Sequence, residues 1–575
     1  MMISRILCAL LWLTLIVMFA VAVAGQQPTP QTKNDSITGR VVNESGQPLS
    51  GVTVSLSAIG ARGGDRTTTD NEGRFKVQGL DGGIYRVFLN APGYVIQMPD
   101  ASGPTLRPGD NADLTLIKGG VIAGNVTNIA GESLVNIIVR VFQIRDGEGK
   151  RVDRPSFAQP KFTDDRGYYR IYGLSPGTYI VGAGGQGQYF GLVNPYANDA
   201  MTYAPSSTRD TAAEIVVRSN QETTVDIRYR SEPGHAVSGR ISGVQPPLPF
   251  SPTVRLNDVD SRVAVTTISV TSPDKTFQLN GVSDGEYEIV ASGGGGAGAD
   301  LVASTPRRIS VKGADVTGLD LALANMASID ARLNLETDQK LNCGRRRDTA
   351  LRETMITLRR ARAEEKSFAN RDKPAELSES LSSSSFENVP NEKGEVRFRN
   401  LSPGSYRFEV RLPAAGWYLK DLTLGKPEPN IARSGIAIKQ GDRISGVTIS
   451  IAEGGASLRG RVTAAEGQTL APNLHLYLAP AEREQSDNPL RFFEAAVAND
   501  GTFVAGNIAP GRYWLVTEAA DPTLTDSVKT TRTDAGLRAK ILRDATALNK
   551  DITFKPCERT ADYEFHYVAV PLAEK

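Results

Sequence analysis

Histidine, cysteine and tryptophan each occur three times in 575 residues, and each scarcity removes a class of chemistry. His235, His475 and His566 have no second histidine or glutamate at zinc-ligand spacing; Ala236-Val237-Ser238, Leu476-Tyr477-Leu478 and Tyr567-Val568-Ala569 follow them. A hydrolytic zinc centre needs three clustered ligands and a water, so none is written here. No serine-nucleophile elbow, Walker-type loop or Rossmann fingerprint is found. The glycines from Gly293 to Gly296 lack the lysine and helix start of a phosphate cradle. These absences point to a non-enzyme with no catalytic, cofactor-binding or metal residues and no cofactor. Net charge is missing too, with 65 basic residues against 64 acidic. A balanced chain has no basic face for phosphate, so nucleic acid is not an expected partner. The local exception, Arg345-Arg346-Arg347 with Arg359, Arg360 and Arg362, sits beside Glu353, Glu364 and Glu365 and reads as a solvated loop face.

Long apolar runs are missing after residue 23. The one run, Ile6 to Val23, follows Arg5 and precedes Ala22-Val23-Ala24, which reads as a signal peptide over residues 1–24, cut after Ala24. Left uncut, that run is the sole expected membrane anchor. The mature chain is expected to be exported to the periplasm, cell surface or extracellular space. Two cysteines then remain, Cys343 and Cys557, and an even pair in an oxidising compartment invites a disulfide. Such a bond brings the C-terminal tail back to the region around Cys343.

What the chain has is a hairpin phrase in five copies: Gly73, Phe75, Gly83, Tyr85; Gly167, Tyr169, Gly177, Tyr179; Lys275, Phe277, Gly285, Tyr287; Gly394, Val396, Gly404, Tyr406; and Gly501, Phe503, Gly511, Tyr513. The tyrosines lie 94, 108, 119 and 107 residues apart, so the repeating unit is a whole domain. Asp70-Asn71-Glu72-Gly73 supplies turn chemistry, and the next strand alternates Phe75 and Val77 inward with Arg74, Lys76 and Gln78 outward. Each tyrosine reads as a core ring whose hydroxyl reaches nearby backbone, as at the tyrosine corner of Greek-key sandwiches. Upstream of each hairpin an opening strand carries a small residue at its centre, Gly39, Gly124, Gly239, Ala331 or Gly460. The strand after it points two apolar residues inward: Val54 and Leu56, Val139 and Val141, Val254 and Leu256, Ile356 and Leu358, Leu474 and Leu476. Short strands punctuated by Gly, Pro and Asn predict an all-β fold of five tandem Ig-like or transthyretin-like antiparallel sandwiches.

The run Ile37-Thr38-Gly39-Arg40-Val41, then Gly46-Gln47-Pro48-Leu49-Ser50-Gly51-Val52-Thr53-Val54, then Thr69 to Phe75 and Tyr85, resembles the carboxypeptidase regulatory-like domain. The resemblance is to tandem-repeat proteins of the bacterial exported type. It implies a transthyretin-like, prealbumin-type sandwich, a family also grouped with carbohydrate-binding-like folds. The second repeat keeps Gly131, Leu134, Asp164, Gly167 and Tyr179; the later ones keep mainly the hairpin, with Lys275 and Ala331 in place of glycines. The peptidase that such domains accompany in metallocarboxypeptidases has no counterpart.

The expected organisation is a signal at 1–24 and sandwiches at 35–118, 119–231, 235–325, 327–452 and 456–575. The second carries an aromatic loop with Tyr189, Phe190, Tyr196 and Tyr203, and the fourth a charged, Ser-rich insertion. In the fifth, Leu537, Ile541, Leu542, Ala545 and Leu548 at helical spacing predict one short C-terminal helix. The loop aromatics and Trp514 are the candidate ligand contacts: exposed, they stack on a sugar or a partner; packed down, they cover a sheet. Short junctions predict a semi-rigid row spanning about 150 Å, from roughly 35 Å per sandwich. The function this supports is a non-catalytic exported spacer or binding scaffold for an envelope protein or a glycan. The alternatives are a lectin-like glycan binder and a subunit accessory to an envelope enzyme or transporter.

Overall fold

The computed structural model describes residues 35–60, 63–96, 103–152, 160–185, 195–243, 251–259, 264–294, 300–341, 343, 350–360, 385–425, 430–464, 469–519 and 534–567. The signal segment, Tyr189, Phe190 and the Ser-rich insertion lie outside these.

The first repeat shows how the phrase becomes a fold. Its strands are β1 (Ile37–Asn43), β2 (Thr53–Ala58), β3 (Gly64–Thr68), β4 (Arg74–Val77), β5 (Tyr85–Asn90), β6 (Tyr94–Ile96), β7 (Thr105–Leu106) and β8 (Asn111–Lys118). They form two four-stranded sheets, in the orders β4-β1-β8-β6 and β3-β2-β5-β7. Pairing is antiparallel except between β1 and β8, which run parallel. That parallel pair recurs between the opening and closing strands of every repeat. In the third repeat the strand Leu301–Ser304 bridges both sheets and joins them into one of eight strands.

Alternation places one side of each sheet inward, and the inward pairs named above are all buried. The hydrophobic cores fall one to a repeat, with one of the five tyrosines in each. Each tyrosine hydroxyl donates to the carbonyl four residues before it: Tyr85 to Asp81 at 3.0 Å, Tyr179 to Ser175 at 2.7, Tyr287 to Ser283 at 2.9, Tyr406 to Ser402 at 2.9 and Tyr513 to Ala509 at 2.7. A ring that fills the core while its hydroxyl satisfies the preceding turn suits a strand that starts straight out of a turn.

The turn acids and amides act within the backbone. Asp70 Oδ1 accepts from the N–H groups of Glu72 and Arg74, and Asp164 Oδ1 from those of Arg166 and Tyr168. Asn391 does the same with Lys393 and Glu395. The C-terminal helix runs Ala535–Leu548, capped by the Asp534 side chain on the Leu537 N–H and closed by Asn549 in the left-handed conformation. Ile541 and Ala545 face Tyr477, Ala479, Phe492 and Val516 on the outer side of the last sandwich.

The row of sandwiches folds back on itself, which corrects the extended arrangement expected from the short junctions. Arg107 of the first repeat donates through Nη2 to the carbonyls of Glu353 and Leu412 in the fourth, both at 2.9 Å. Arg86 pairs with Glu387, and Arg411 reaches the Thr105 hydroxyl. Linker length limits rotation between neighbours, but small turns of one sign across several junctions can still close a chain.

Candidate functional site

The junctions between repeats hold what the single sandwiches lack. One position is used at several of them. Four residues after the hairpin's core residue (Phe75, Tyr169, Phe277, Val396 or Phe503), the chain turns through a left-handed residue: Gly79, Gly173, Gly281, Asn400 and Asn507, with φ of 73°, 72°, 68°, 60° and 57°. In the last two, asparagine adds a hook to the neighbouring repeat. Asn400 Oδ1 accepts from the Leu301 N–H at 2.8 Å, and Asn507 Nδ2 donates to the carbonyls of Trp417 and Ala414 at 2.7 and 3.0 Å. Gly281 packs so closely under the loop before the third repeat that an added Cβ would lie 2.6 Å from the Asp199 carbonyl oxygen.

The fourth and fifth repeats share more than a hook. Cys343 and Cys557 are joined by a disulfide with Cα atoms 4.8 Å apart, across 214 residues of sequence. Cys557 N–H donates to Gly454 O, and Arg559 to Cys343 O. Leu490 of the fifth repeat packs into the fourth core.

The second and third repeats enclose a cleft of about 200 Å³, lined by Met201, Tyr203, Arg209, Asp258, Thr266 and Tyr287 among others. Arg209 Nε lies 3.3 Å from Asp258 Oδ1, with both side chains largely buried. Burial, first of all, pushes the Tyr203 and Tyr287 hydroxyls above the usual phenol range.

The candidate ligand contacts are placed as follows. Tyr203 is 4% exposed and packs with Phe142, Ile180 and Met201 on the outer face of its sheet. Tyr196 is half-buried, edge-on to Tyr229 at 5.6 Å, with its hydroxyl 3.4 Å from Val135 O. Trp514 lies partly under the C-terminal helix, with the Arg512 guanidinium 5.0 Å from its ring centre. No two of these three are brought to one surface. The residues that join distant repeats, Arg86, Arg107, Arg209 and Asp258, carry no local sequence signal, since their partners lie 49 to about 300 residues away.

Gly173-Leu174-Ser175-Pro176-Gly177 and Gly281-Val282-Ser283-Asp284-Gly285 both spell Gly-x-Ser-x-Gly, which corrects the absence read from the sequence, though neither opens a helix; the later of the two lies beside His235. It joins two strands, Thr276–Val282 and Gly285–Gly294, rather than a strand and a helix, and Ser283 serves Tyr287 through its carbonyl. His235 beside it contacts Asp284 at 3.2 Å and Asp315 at 3.9 Å. Among the described residues no cluster of three or more His, Cys, Asp or Glu fits a metal ion, and no helix is long and apolar enough to cross a membrane.

Residues 36–117 match the carboxypeptidase regulatory-like domain. The match covers that first module; the four modules after it repeat its tyrosine lock. No curated protein matches the chain. Among solved structures, the chain is similar to the Bacillus anthracis TIE protein, at 16% identity over 51% of this chain and 50% of that one, TM-score 0.14. This chain thus spans half the length of that protein. It is also similar to GBS52, the minor pilin of Streptococcus agalactiae, at 14% identity over 37% of this chain and 99% of that one, TM-score 0.20. A third is the shaft pilin SpaA of Lactobacillus rhamnosus GG, at 11% over 37% and 99%, TM-score 0.17.

Proposed function

We propose that this protein is an exported, non-catalytic scaffold that holds partner molecules of the cell envelope at a fixed geometry. The observation that carries this reading is the contact between the first and fourth modules. Arg107, Arg86 and Arg411 hold together repeats that are about 300 residues apart, so the modules present their loops at set positions. Each core is closed on a tyrosine whose hydroxyl is engaged by its own turn, as a packing unit requires. The Cys343–Cys557 disulfide supports export, because such bonds persist in oxidising compartments.

The test is cross-linking of the mature chain in envelope fractions, set beside the Arg107→Ala variant. A partner captured in fixed ratio by the parent and lost from the variant supports the scaffold. Turnover of a peptide or glycoside by purified protein, or capture that ignores the variant, overturns it. Glycan binding is a weaker reading, since Tyr203 is buried and Tyr196 is committed to Tyr229.

A further inference from the structure

The cleft between the second and third modules collects polar groups that the protein leaves unsatisfied. Thr266 lines it, is 5% exposed, and its hydroxyl has no hydrogen-bond partner. Arg209 lines it from the facing module, and its Nη1 is buried without a partner although its Nε meets Asp258. A buried donor or acceptor left unmade is costly, so two facing one cleft call for an occupant.

The rest of the lining says which occupant. Among the described residues, Asp210, Asp258, Asp284 and Glu286 surround the cleft against one lining cation, Arg209. Of the outer two acids, Asp284 lies 3.2 Å from His235 and accepts from the Gly313 N–H, and Glu286 lies 3.7 Å from the exposed Lys312 and accepts from the Ser310 hydroxyl. An acidic mouth favours a cation and repels a carboxylate or phosphate. The deeper hydroxyl and guanidinium need a group that both donates and accepts, which a hydroxyl supplies. Tyr203 and Tyr287 add apolar wall. At about 200 Å³ the space holds roughly six waters, which sets the size of the guest.

We propose that this cleft binds a small hydroxylated amine, with its ammonium at the acidic mouth and its hydroxyls towards Thr266 and Arg209. The site is independent of the scaffold reading, because it involves neither the first nor the fourth module.

Titration calorimetry of the full chain tests it with two matched pairs, serinol against glycerol and glucosamine against glucose. The pairs also separate a short amino alcohol from an amino sugar. In at least one pair the amine binds roughly tenfold tighter than its neutral partner, and salt weakens it. Glu286→Gln, at the exposed rim, lowers that affinity several-fold with an unchanged melting midpoint; Thr266→Val lowers it at the base. Equal binding within both pairs, no heat from either amine, or affinity indifferent to Glu286→Gln overturns the proposal and leaves the cleft to water. If Thr266→Val does not fold, the Glu286→Gln comparison still decides.

Discussion

At the scale of single residues, the repeat records its own compensations. Gly39, Gly124, Gly239 and Gly460 sit opposite Phe75, Tyr169, Phe277 and Phe503 on the paired strand. A Cβ at Gly460 would lie 2.0 Å from Tyr563 O and 2.9 Å from the Phe503 ring. Where the fourth module has Ala331, the opposed residue is the smaller Val396, so the methyl has found room. The other departure is not compensated. Lys275 takes the turn position held by glycines elsewhere and has a φ of 53°. A left-handed residue with a side chain is strained by roughly 1–2 kcal/mol, part of which glycine returns through its freer unfolded chain. Lys275→Gly should therefore stabilise the third module by about 0.5–1 kcal/mol, read as a higher denaturant midpoint with an unchanged slope. The tyrosine locks give a pH dependence. Burial raises the hydroxyls of Tyr85, Tyr179, Tyr287, Tyr406 and Tyr513, the last to about 12 although Arg491 pulls it down. Folded values above the unfolded value of 10 mean that no stability is lost below pH 10. Above it the unfolded chain ionises first, so stability falls between pH 10 and about 12 for Tyr513. Tyr513→Phe should flatten that fall in a circular-dichroism titration, while losing about 1 kcal/mol at neutral pH with the hydrogen bond to Ala509.

At the scale of elements, the left-handed turn after the hairpin's core residue meets the neighbouring module at Gly281, Asn400 and Asn507. Glycine there permits close backbone approach, and asparagine tolerates the same conformation while adding a side-chain bond. Asn507→Gly keeps the backbone and removes both bonds to the fourth module, so it should destabilise that junction by about 1–2 kcal/mol. Amide exchange at the Ala456–Thr463 and Trp417–Leu424 strands would report this; unchanged protection there would mean the hook contributes nothing. Strand positions, inward pairs, tyrosine locks and the C-terminal helix were legible in the sequence because local period and turn chemistry determine them. The parallel pairing of first and last strands was not legible, since it joins residues 73 to 116 apart that share only an apolar pattern. The sequence left Tyr203 open between exposure and packing down on a sheet, because its loop carries no alternation and nothing local points to Phe142, Ile180 and Met201, which cover it. The Arg209–Asp258 pair behind the cleft shows nothing in either flanking sequence that points to the other module.

At the scale of the whole molecule, contacts run from the first module to the second, third and fourth in turn, and back to the first. Gly119 bonds Gly93, Arg209 meets Asp258, Asn400 meets Leu301, and Arg107 closes the circuit. The fifth module hangs from the fourth by the disulfide and Asn507. A closed circuit of four is held differently from a row. Each junction in a row sets only its own angle, whereas closure makes every angle depend on the others, so the loops keep fixed separations. The closing contact is polar and rests on few residues, which makes it testable apart from folding. Arg107 donates to two carbonyls, and charge-assisted bonds contribute about 1.5–3 kcal/mol each. Arg107→Ala should leave the five cores folded, with an unchanged circular-dichroism spectrum, while the first module swings away from the fourth. Small-angle scattering would then show a larger radius of gyration and a longer maximum dimension, and further addition of Arg86→Ala would extend both. High salt should loosen the parent in the same direction, since the Arg86–Glu387 pair is screened where it meets solvent. Scattering curves that superpose for the parent and the double variant would mean that the closure is maintained by the junctions alone, and the arginines would lose the role given to them here.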